Sequence, residues 1–193
     1  EEEFVGYFPT KQNTGKIMNE PVSRHHTALN RNQISRPVRL TLESNLIQTS
    51  STILDFGCGK GYDVRYLKEK GFKCIGWDPY YSPKTKPKSS DIVNLGYVIN
   101  VIEDHKERVE VLQKAWAYAK KILVVSARHN LEQKDEGLVA FKDGFLTRRK
   151  TFQKYYQQDE LKAWIDESLN DNSIAAAPGI FYVFRDAELK QSY

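Results

Sequence analysis

The stretch from Ile53 to Gly61, with the sequence Ile-Leu-Asp-Phe-Gly-Cys-Gly-Lys-Gly, restricts the fold of this chain more than any other. Its apolar part, residues 53–56, is typical of the end of a buried parallel strand. The three glycines alternate with other residues, which predicts a sharp turn whose backbone lies close to a ligand. Helical periodicity begins directly afterwards. A strand, a glycine turn and a helix in this order predict a nucleotide-type site at the carboxyl end of a parallel sheet.

The spacing of the glycines indicates which kind of nucleotide is bound. The dinucleotide fingerprint is G-x-G-x-x-G, whereas Gly57, Gly59 and Gly61 form G-x-G-x-G. Asp55 lies two residues before the first glycine, where a carboxylate would repel a pyrophosphate but suit a ligand with a cationic end. A P-loop is excluded because no Gly-Lys-Ser/Thr follows. The pattern resembles the first motif of class I S-adenosylmethionine-dependent methyltransferases, whose cofactor carries an ammonium and a sulfonium.

Two further segments complete the predicted site for S-adenosylmethionine. A second strand is predicted at Phe72–Trp77 and ends at Asp78, about twenty residues after the glycine turn, where a carboxylate can accept hydrogen bonds from both ribose hydroxyls. The alternative is a structural Asp78 that serves as a helix cap or turn residue. The next predicted strand and turn, at residues 91–101, supply three more candidates for cofactor binding: Asn94, Leu95 and Gly96.

No complete catalytic motif accompanies the cofactor pattern. The segment Asn94-Leu-Gly-Tyr97 has the outer spacing of the Asp/Asn-Pro-Pro-Tyr/Phe motif of amino-methylating nucleic-acid enzymes, but it lacks both prolines. A Pro-Cys pair for cytosine C5 chemistry is absent as well. The remaining catalytic candidates are Tyr97, Asn100 and His129. His129 is interpreted either as a general base or, as is more common, as a hydrogen-bonded loop residue. No metal site is predicted.

The order of the predicted elements indicates an α/β fold: a Rossmann-like, doubly wound, mainly parallel sheet with a final antiparallel strand pair. Only twelve residues separate Asp78 from Asp91, so the fold is expected to be shortened between its second and fourth strands. The remaining predicted elements are helices at 36–46, at 103–119 and after an Asp159 cap, a strand at 122–127, a hairpin at 138–147, and a final strand pair at 174–177 and 180–184.

The chain has 193 residues and no repeats, and we expect one domain at residues 23–193. Residues 1–22 are polar with scattered glycine and proline, which predicts a flexible arm or linker. The first residue is Glu1 and not Met, as expected either for a trimmed chain or for one part of a longer polypeptide. No apolar run is long enough to span a bilayer, so no membrane association is predicted. The two cysteines fit a reduced, cytoplasmic environment better than a disulfide framework.

The net charge of +4 is compatible with an anionic partner. Arginines cluster at residues 24–39, and the segment 147–156 interleaves basic residues with aromatic ones, which suits a nucleotide. Each segment also has an ordinary interpretation, as a solvated helix face or as a lid whose tyrosines pack inward. The candidates for substrate binding are Arg31, Arg36, Arg148, Arg149 and Tyr155.

Longer strings extend the resemblance to a particular family. They are Arg-His-His-Thr-Ala-Leu-Asn-Arg from Arg24, Gly-Trp-Asp-Pro-Tyr from Gly76, Asn-Leu-Gly-Tyr-Val-Ile-Asn-Val-Ile-Glu-Asp from Asn94, and Leu-Thr-Arg-Arg-Lys-Thr-Phe-Gln-Lys-Tyr-Tyr from Leu146. Over residues 24–186 the chain resembles the methyltransferases associated with DNA phosphorothioation. The resemblance implies a bacterial, cytoplasmic enzyme that uses S-adenosylmethionine and acts in DNA modification or defence, with an acceptor that it does not name. Together with the basic and aromatic segments, it makes nucleic acid, DNA or RNA, the expected partner.

Two alternatives to methyl transfer stay open at the level of the sequence. The first is a cofactor-binding module without transferase activity, which docks nucleic acid or protein inside a larger modification system. The absence of a complete catalytic motif favours it. The second is the transfer of a different group from the same cofactor, such as aminocarboxypropyl.

Overall fold

The computed structural model describes residues 22, 24–28, 30–134 and 137–193. The predicted arm at 1–22 therefore lies, apart from Val22, outside the described residues. The described helices are α1 (Arg36–Glu43), α2 (Tyr62–Glu69), α3 (His105–Tyr118), α4 (Gln158–Leu169) and α5 (Ala187–Ser192). The described strands are β1 (Thr52–Phe56), β2 (Lys73–Trp77), β3 (Ser90–Gly96), β4 (Ala119–Ser126), β5 (Val139–Phe141), β6 (Gly144–Leu146), β7 (Phe152–Gln153), β8 (Ile174–Ala177) and β9 (Ile180–Phe184).

A six-stranded sheet with the order β2-β1-β3-β4-β9-β8 forms the centre of the molecule. The first four of these strands are parallel, β9 runs antiparallel to β4, and β8 runs antiparallel to β9. This topology confirms the predicted fold class. The connection from β2 to β3 contains only an isolated bridge between Asp78 and Ser82, which confirms the predicted shortening.

The two faces of the sheet are covered by different helices. Because side chains alternate along a strand, Leu54 of β1 packs with Leu112 of α3 and Leu161 of α4 on one face. Its neighbour Ile53 packs with Val38 of α1 and with residues of α2 on the other. The central strands are apolar on both faces, as is typical of parallel sheets. The result is a three-layer sandwich whose carboxyl edge remains available for a site.

The helix ends follow the sequence signals in most places. Asp104 caps α3 and accepts a hydrogen bond from the Glu107 amide at 2.9 Å, close to the predicted start. The predicted Asp159 cap of α4 is wrong: the cap is Gln157, whose amide donates to Glu160. Asp159 lies instead in the first turn, where its negative charge interacts favourably with the positive end of the helix dipole. The first helix ends at Glu43, three residues before the predicted end.

A small antiparallel sheet, β5-β6-β7, lies beside the large one. Its first two strands form the predicted hairpin, whereas the two-residue strand β7 was not predicted. The buried side chain of Arg108 in α3 fixes this sheet: it donates to the Tyr156 hydroxyl at 3.1 Å and forms an ion pair with Asp143 in the hairpin turn. Sequence periodicity gave no indication of a buried arginine at this position.

Candidate active site

A cleft of about 1270 Å³ opens at the carboxyl ends of β1, β2 and β3. This is the edge of the sheet at which the glycine turn was expected to form a site. Most of the residues singled out from the sequence line this cleft. They are Asp55, Gly57, Gly59, Gly61, Asp78, Asn94, Gly96, Tyr97, Asn100, Arg31, Arg36, Arg148, Arg149 and Tyr155.

The glycine turn follows β1 and is hydrogen-bonded to the end of β2. The amides of Gly57 and Cys58 both donate to the carbonyl oxygen of Trp77, at 2.7 and 3.0 Å. All three glycines have positive φ values, of which that of Gly57 is +87°. A Cβ atom at Gly57 would lie 2.4 Å from Cγ2 of Val98. Glycine is therefore required at this position both by the backbone conformation and by the close approach of Val98.

Asp55 is the most strongly perturbed acid of the cleft. Its side chain is almost fully buried, and its Oδ1 accepts a hydrogen bond from Nδ2 of Asn94 at 2.8 Å, across the β1–β3 pairing. Burial raises the pKa of Asp55 to about 7, and the nearby charge of Asp63 adds to this effect. Oδ1 of Asn94 has no hydrogen-bond partner among the described residues. The carboxyl group of Asp55 and the amide oxygen of Asn94 therefore lie side by side, and both can accept hydrogen bonds from a cationic ligand group.

Asp78 lies at the end of β2, as predicted, and its two carboxylate oxygens have different partners. Oδ1 accepts hydrogen bonds from the amides of Tyr80 and Tyr81 at 2.9 and 2.8 Å, so the turn interpretation is correct. Oδ2 accepts from the Gly59 amide, at 3.0 Å. A carboxylate has about four acceptor positions. Oδ2 is therefore the oxygen best able to accept from a ligand hydroxyl.

Two of the predicted candidates are corrected by the structure. His129 does not line the cleft: its Nδ1 accepts a hydrogen bond from the Leu131 amide at 3.2 Å and caps the short helix at 130–132. This is the loop role that was weighed against catalysis. Leu95 does not line the cleft either, because its side chain is fully buried in the core beside α3. The alternation of β3 sends Asn94 to one face of the sheet and Leu95 to the other.

A segment in which the sequence analysis noted a cluster of arginines crosses the carboxyl edge of the sheet. We call residues 24–28 and 30–35 the crossing segment. At one end, Arg24 forms ion pairs with Glu103 and Glu107 at the start of α3. At the other end, the Ser35 amide donates to Asp63 of α2 at 2.8 Å. The crossing segment therefore forms one wall of the cleft and connects the first turns of two helices.

Arg128 is a cleft residue that the sequence analysis did not select. It follows β4, and its guanidinium lies 5.7 Å from the centre of the Tyr97 ring. Arg31 of the crossing segment lies 5.6 Å from the same ring. The sequence contains one indication of this role for Arg128: the residue lies just beyond a predicted parallel strand. The carboxyl ends of such strands meet at one edge of the sheet.

The comparisons with known proteins agree with this geometry. A family profile described as "Methyltransferase domain" matches residues 28–143, which is more than half of the chain. The chain belongs to this family. The match includes β1, the glycine turn, Asp78 and β3. The comparison with curated protein sequences gives no match.

Solved structures of methyltransferases share the fold. The sugar N-methyltransferase KedS8 from Streptoalloteichus sp. has a TM-score of 0.58 at 10% identity, over 96% of this chain and 99% of that one. The 1,6-didemethyltoxoflavin-N1-methyltransferase of Burkholderia thailandensis, bound to S-adenosylhomocysteine, has a TM-score of 0.53 at 12% identity, over 78% and 77%. Magnesium protoporphyrin IX methyltransferase from Synechocystis, with bound S-adenosylmethionine, has a TM-score of 0.51 at 13% identity, over 84% and 90%. The cofactor predicted from the sequence is the one found in the last of these, and its demethylated form is found in the second.

Two other kinds of feature are absent from the described part of the chain. No helix there is long and apolar enough to cross a membrane. No group of three or more His, Cys, Asp or Glu side chains is placed there so as to hold a metal ion.

Proposed function

We propose that residues 23–193 form an S-adenosylmethionine-dependent methyltransferase domain. The observation that carries this proposal is the arrangement of Asp55, Asn94, the glycine turn and Asp78 along one edge of the sheet. The ammonium of the cofactor fits the carboxylate of Asp55 and the unpartnered Oδ1 of Asn94. Oδ2 of Asp78 would accept from a ribose hydroxyl, and the three glycines, which have no side chains of their own, would let a ligand approach the backbone of the turn.

The protein contributes mainly by positioning the reactants. When bound, the cofactor supplies a methyl group on a positively charged sulfur. Asp55, which is buried and acts at short range in a medium of low dielectric constant, fixes the methionine end. Tyr97 and Asn100, which follow β3, border the space that an acceptor would enter. Holding the two reactants in line accounts for most of the rate enhancement that such a site can provide.

For the acceptor, we propose a nucleic acid or a nucleotide-like molecule, with a role in bacterial DNA modification linked to phosphorothioation and in the cytoplasm. The sequence strings of the resembled family support this proposal, as do the basic and aromatic residues at the far side of the cleft, Arg148, Arg149 and Tyr155. Basic side chains contact phosphates, and aromatic rings stack on bases. The Tyr155 ring packs 6.2 Å from the ring of Phe145, which keeps it at the cleft wall.

The cofactor assignment is tested by calorimetry. S-adenosylmethionine is titrated into the wild type, Asp78→Ala and Asp159→Ala, in which the control residue is an exposed aspartate outside the cleft. We expect Asp78→Ala to lose about tenfold or more in affinity, because a charge-assisted hydrogen bond is removed. Asp159→Ala is expected to bind like the wild type. Unchanged affinity in Asp78→Ala would refute the assignment of Asp78.

The acceptor is tested by incubating the protein with methyl-labelled cofactor and a bacterial extract that is then separated into DNA, RNA, protein and small molecules. Label in the DNA or RNA fraction supports the proposed acceptor, and label in the small-molecule or protein fraction contradicts it. A second candidate function, a cofactor-binding module without transferase activity, is favoured by the position of His129 outside the cleft. Cofactor binding with no labelled fraction would support that module.

A further inference from the structure

Tyr97 occupies a strained turn at the point where β3 ends. Its φ of +59° lies in the left-handed region, which a tyrosine adopts only at an energetic cost. Its amide donates to the carbonyl oxygen of Ser126 at 2.9 Å and to Oγ of Ser126 at 3.1 Å, which ties the turn to the end of β4. The strained backbone therefore holds an aromatic ring in the cleft at a fixed position.

Arginines from two separate parts of the chain lie against this ring, and a third, Arg36, is close enough to influence its pKa. Arg31 and Arg128 lie within cation–π distance of it, at 5.6 and 5.7 Å. Burial has the largest influence on the pKa of Tyr97 and raises it, as does Glu132, whereas Arg128, Arg31 and Arg36 lower it. Because the net effect raises the pKa, the hydroxyl stays protonated at neutral pH and adds no negative charge between the cations.

Neighbouring carboxylates neutralise only part of the positive charge of these arginines. Arg128 forms an ion pair with Glu132 at 2.7 Å. The nearest carboxylate to Arg31 is that of Asp63, at 4.0 Å, and its other oxygen already accepts the Ser35 amide. In the described part of the chain, Arg36 has neither an ion pair nor a side-chain hydrogen bond. The region around Tyr97 is therefore positively charged, whereas the region around Asp55 and Asp78 is acidic.

A buried polar atom in the same part of the cleft indicates a ligand independently of the charges. The side chain of Asn100 is 1% exposed, and its Oδ1 has no hydrogen-bond partner among the described residues. Its carbonyl oxygen accepts the Lys154 amide at 2.8 Å, so the residue is held in place. A buried amide oxygen without a partner is unfavourable. An N–H or O–H group of a ligand in the cleft would satisfy it.

We propose that Arg31 and Arg128, whose guanidinium groups both lie near the ring of Tyr97, form an anion subsite for the acceptor. The acceptor then carries a phosphate or carboxylate group. The inference rests on the proposed methyl transfer and narrows its substrate class to anions with an N–H or O–H group near Asn100. During transfer, the lone pair of the acceptor forms the new bond to the methyl carbon. The electrons of the broken carbon–sulfur bond remain on sulfur, and the proton of the acceptor leaves to solvent.

The subsite is tested by calorimetry with three probes on protein saturated with S-adenosylhomocysteine: inorganic phosphate, succinate and a short single-stranded oligonucleotide. We expect at least one probe to bind the wild type, and Arg31→Gln and Arg128→Gln each to weaken that binding about tenfold. The lysine variants at the same positions keep the charge and are expected to recover part of the affinity. Arg39→Gln is the matched control, because Arg39 is exposed on α1 and does not line the cleft.

The probes also distinguish the sources of the anion. Tight binding of phosphate or succinate identifies a small acceptor, and binding of the oligonucleotide alone identifies a nucleic-acid backbone. The subsite would be overturned if Arg31→Gln and Arg128→Gln bound every probe with the affinity of the wild type. Circular dichroism verifies that both variants are folded. The absence of binding to the wild type would also overturn the subsite. Failure of the proposed methyl transfer is seen separately, either as a wild type that does not bind S-adenosylhomocysteine before any probe is added or as a wild type that binds it but labels no fraction of the extract.

Discussion

The two halves of the cleft are built in different ways. The proposed cofactor half comes from β1, the glycine turn and the end of β2, which are close in sequence, and it is acidic and constrained through its backbone. The proposed acceptor half combines Arg31, Tyr97 and Arg128, which belong to three distant segments, and it is basic and depends on long side chains. We therefore expect the first half to respond sharply to small changes in shape and the second to respond gradually to changes in charge.

The largest expected effect is that of adding one carbon atom to the glycine turn. Gly57→Ala places a Cβ 2.4 Å from Val98 at a φ of +87°, and we expect a loss of about 2–4 kcal/mol in unfolding free energy together with loss of cofactor binding. Gly71→Ala is the control, because Gly71 has a φ of +86° with nothing within 4 Å of the added atom. It should cost only about 1 kcal/mol. Equal losses in urea unfolding would mean that the contact with Val98 is unimportant.

The next effect is electrostatic and separates binding from stability. Asp55→Asn keeps the shape of the side chain but removes its charge, so we expect about 100-fold weaker binding of S-adenosylmethionine. The pKa of Asp55 is raised on folding, to about 7, so ionised Asp55 destabilises the folded protein. The variant should therefore be more stable than the wild type above about pH 7. Calorimetry and urea unfolding together test this, and lower stability at that pH would contradict it.

The ionisation of Asp55 should also make cofactor binding depend on pH. In the free wild type, Asp55 is protonated below a pH of about 7, because burial raises its pKa. A protonated Asp55 cannot attract an ammonium, so affinity for S-adenosylmethionine should rise by about fivefold to tenfold between about pH 6 and about pH 8. In the absence of ligand, stability should fall as pH rises from about 4 to about 7, since the folded state holds the proton more tightly. A flat binding profile in the wild type would exclude Asp55 as the site of this ionisation.

The smallest expected effect concerns the crossing segment. Arg24→Ala removes the ion pairs with Glu103 and Glu107, and we expect the dissociation of S-adenosylhomocysteine to become about threefold to fivefold faster with little change in unfolding free energy. Stopped-flow displacement measures the rate. Arg39→Ala, which removes an exposed pair with Glu43 on α1, should leave it unchanged. A rate in Arg24→Ala equal to that of the wild type would show that the crossing segment does not retain the ligand.

The comparison also explains what could be predicted from the sequence. The glycine turn, Asp78 and the final strand pair were placed correctly because each depends on local steric rules and periodicity. Arg128 and Arg108 were not selected, since only the tertiary fold brings the first to the ring of Tyr97 and buries the second beside Tyr156. Leu95 was included by proximity to Asn94 in sequence, although the pleat of β3 separates the two side chains.

The helical caps show the same limit on a smaller scale. Asp104 forms the cap of α3 close to the predicted start and accepts the Glu107 amide. At α4, Gln157 rather than Asp159 forms the cap, since the chain arrives from the buried Tyr156 and turns there. Tertiary packing thus overrode the sequence signal at Asp159.

The crossing segment has a consequence for the timing of turnover. Its hydrogen bonds reach the first turns of both α2 and α3 and it forms one wall of the cleft, so in the proposed reaction spent and fresh methyl donors would pass the same barrier in every cycle. If the barrier opens more slowly than the methyl group moves, the first round of product should appear as a rapid burst followed by a slower steady phase. The traffic of the donor past these few residues would then set the working speed of the enzyme.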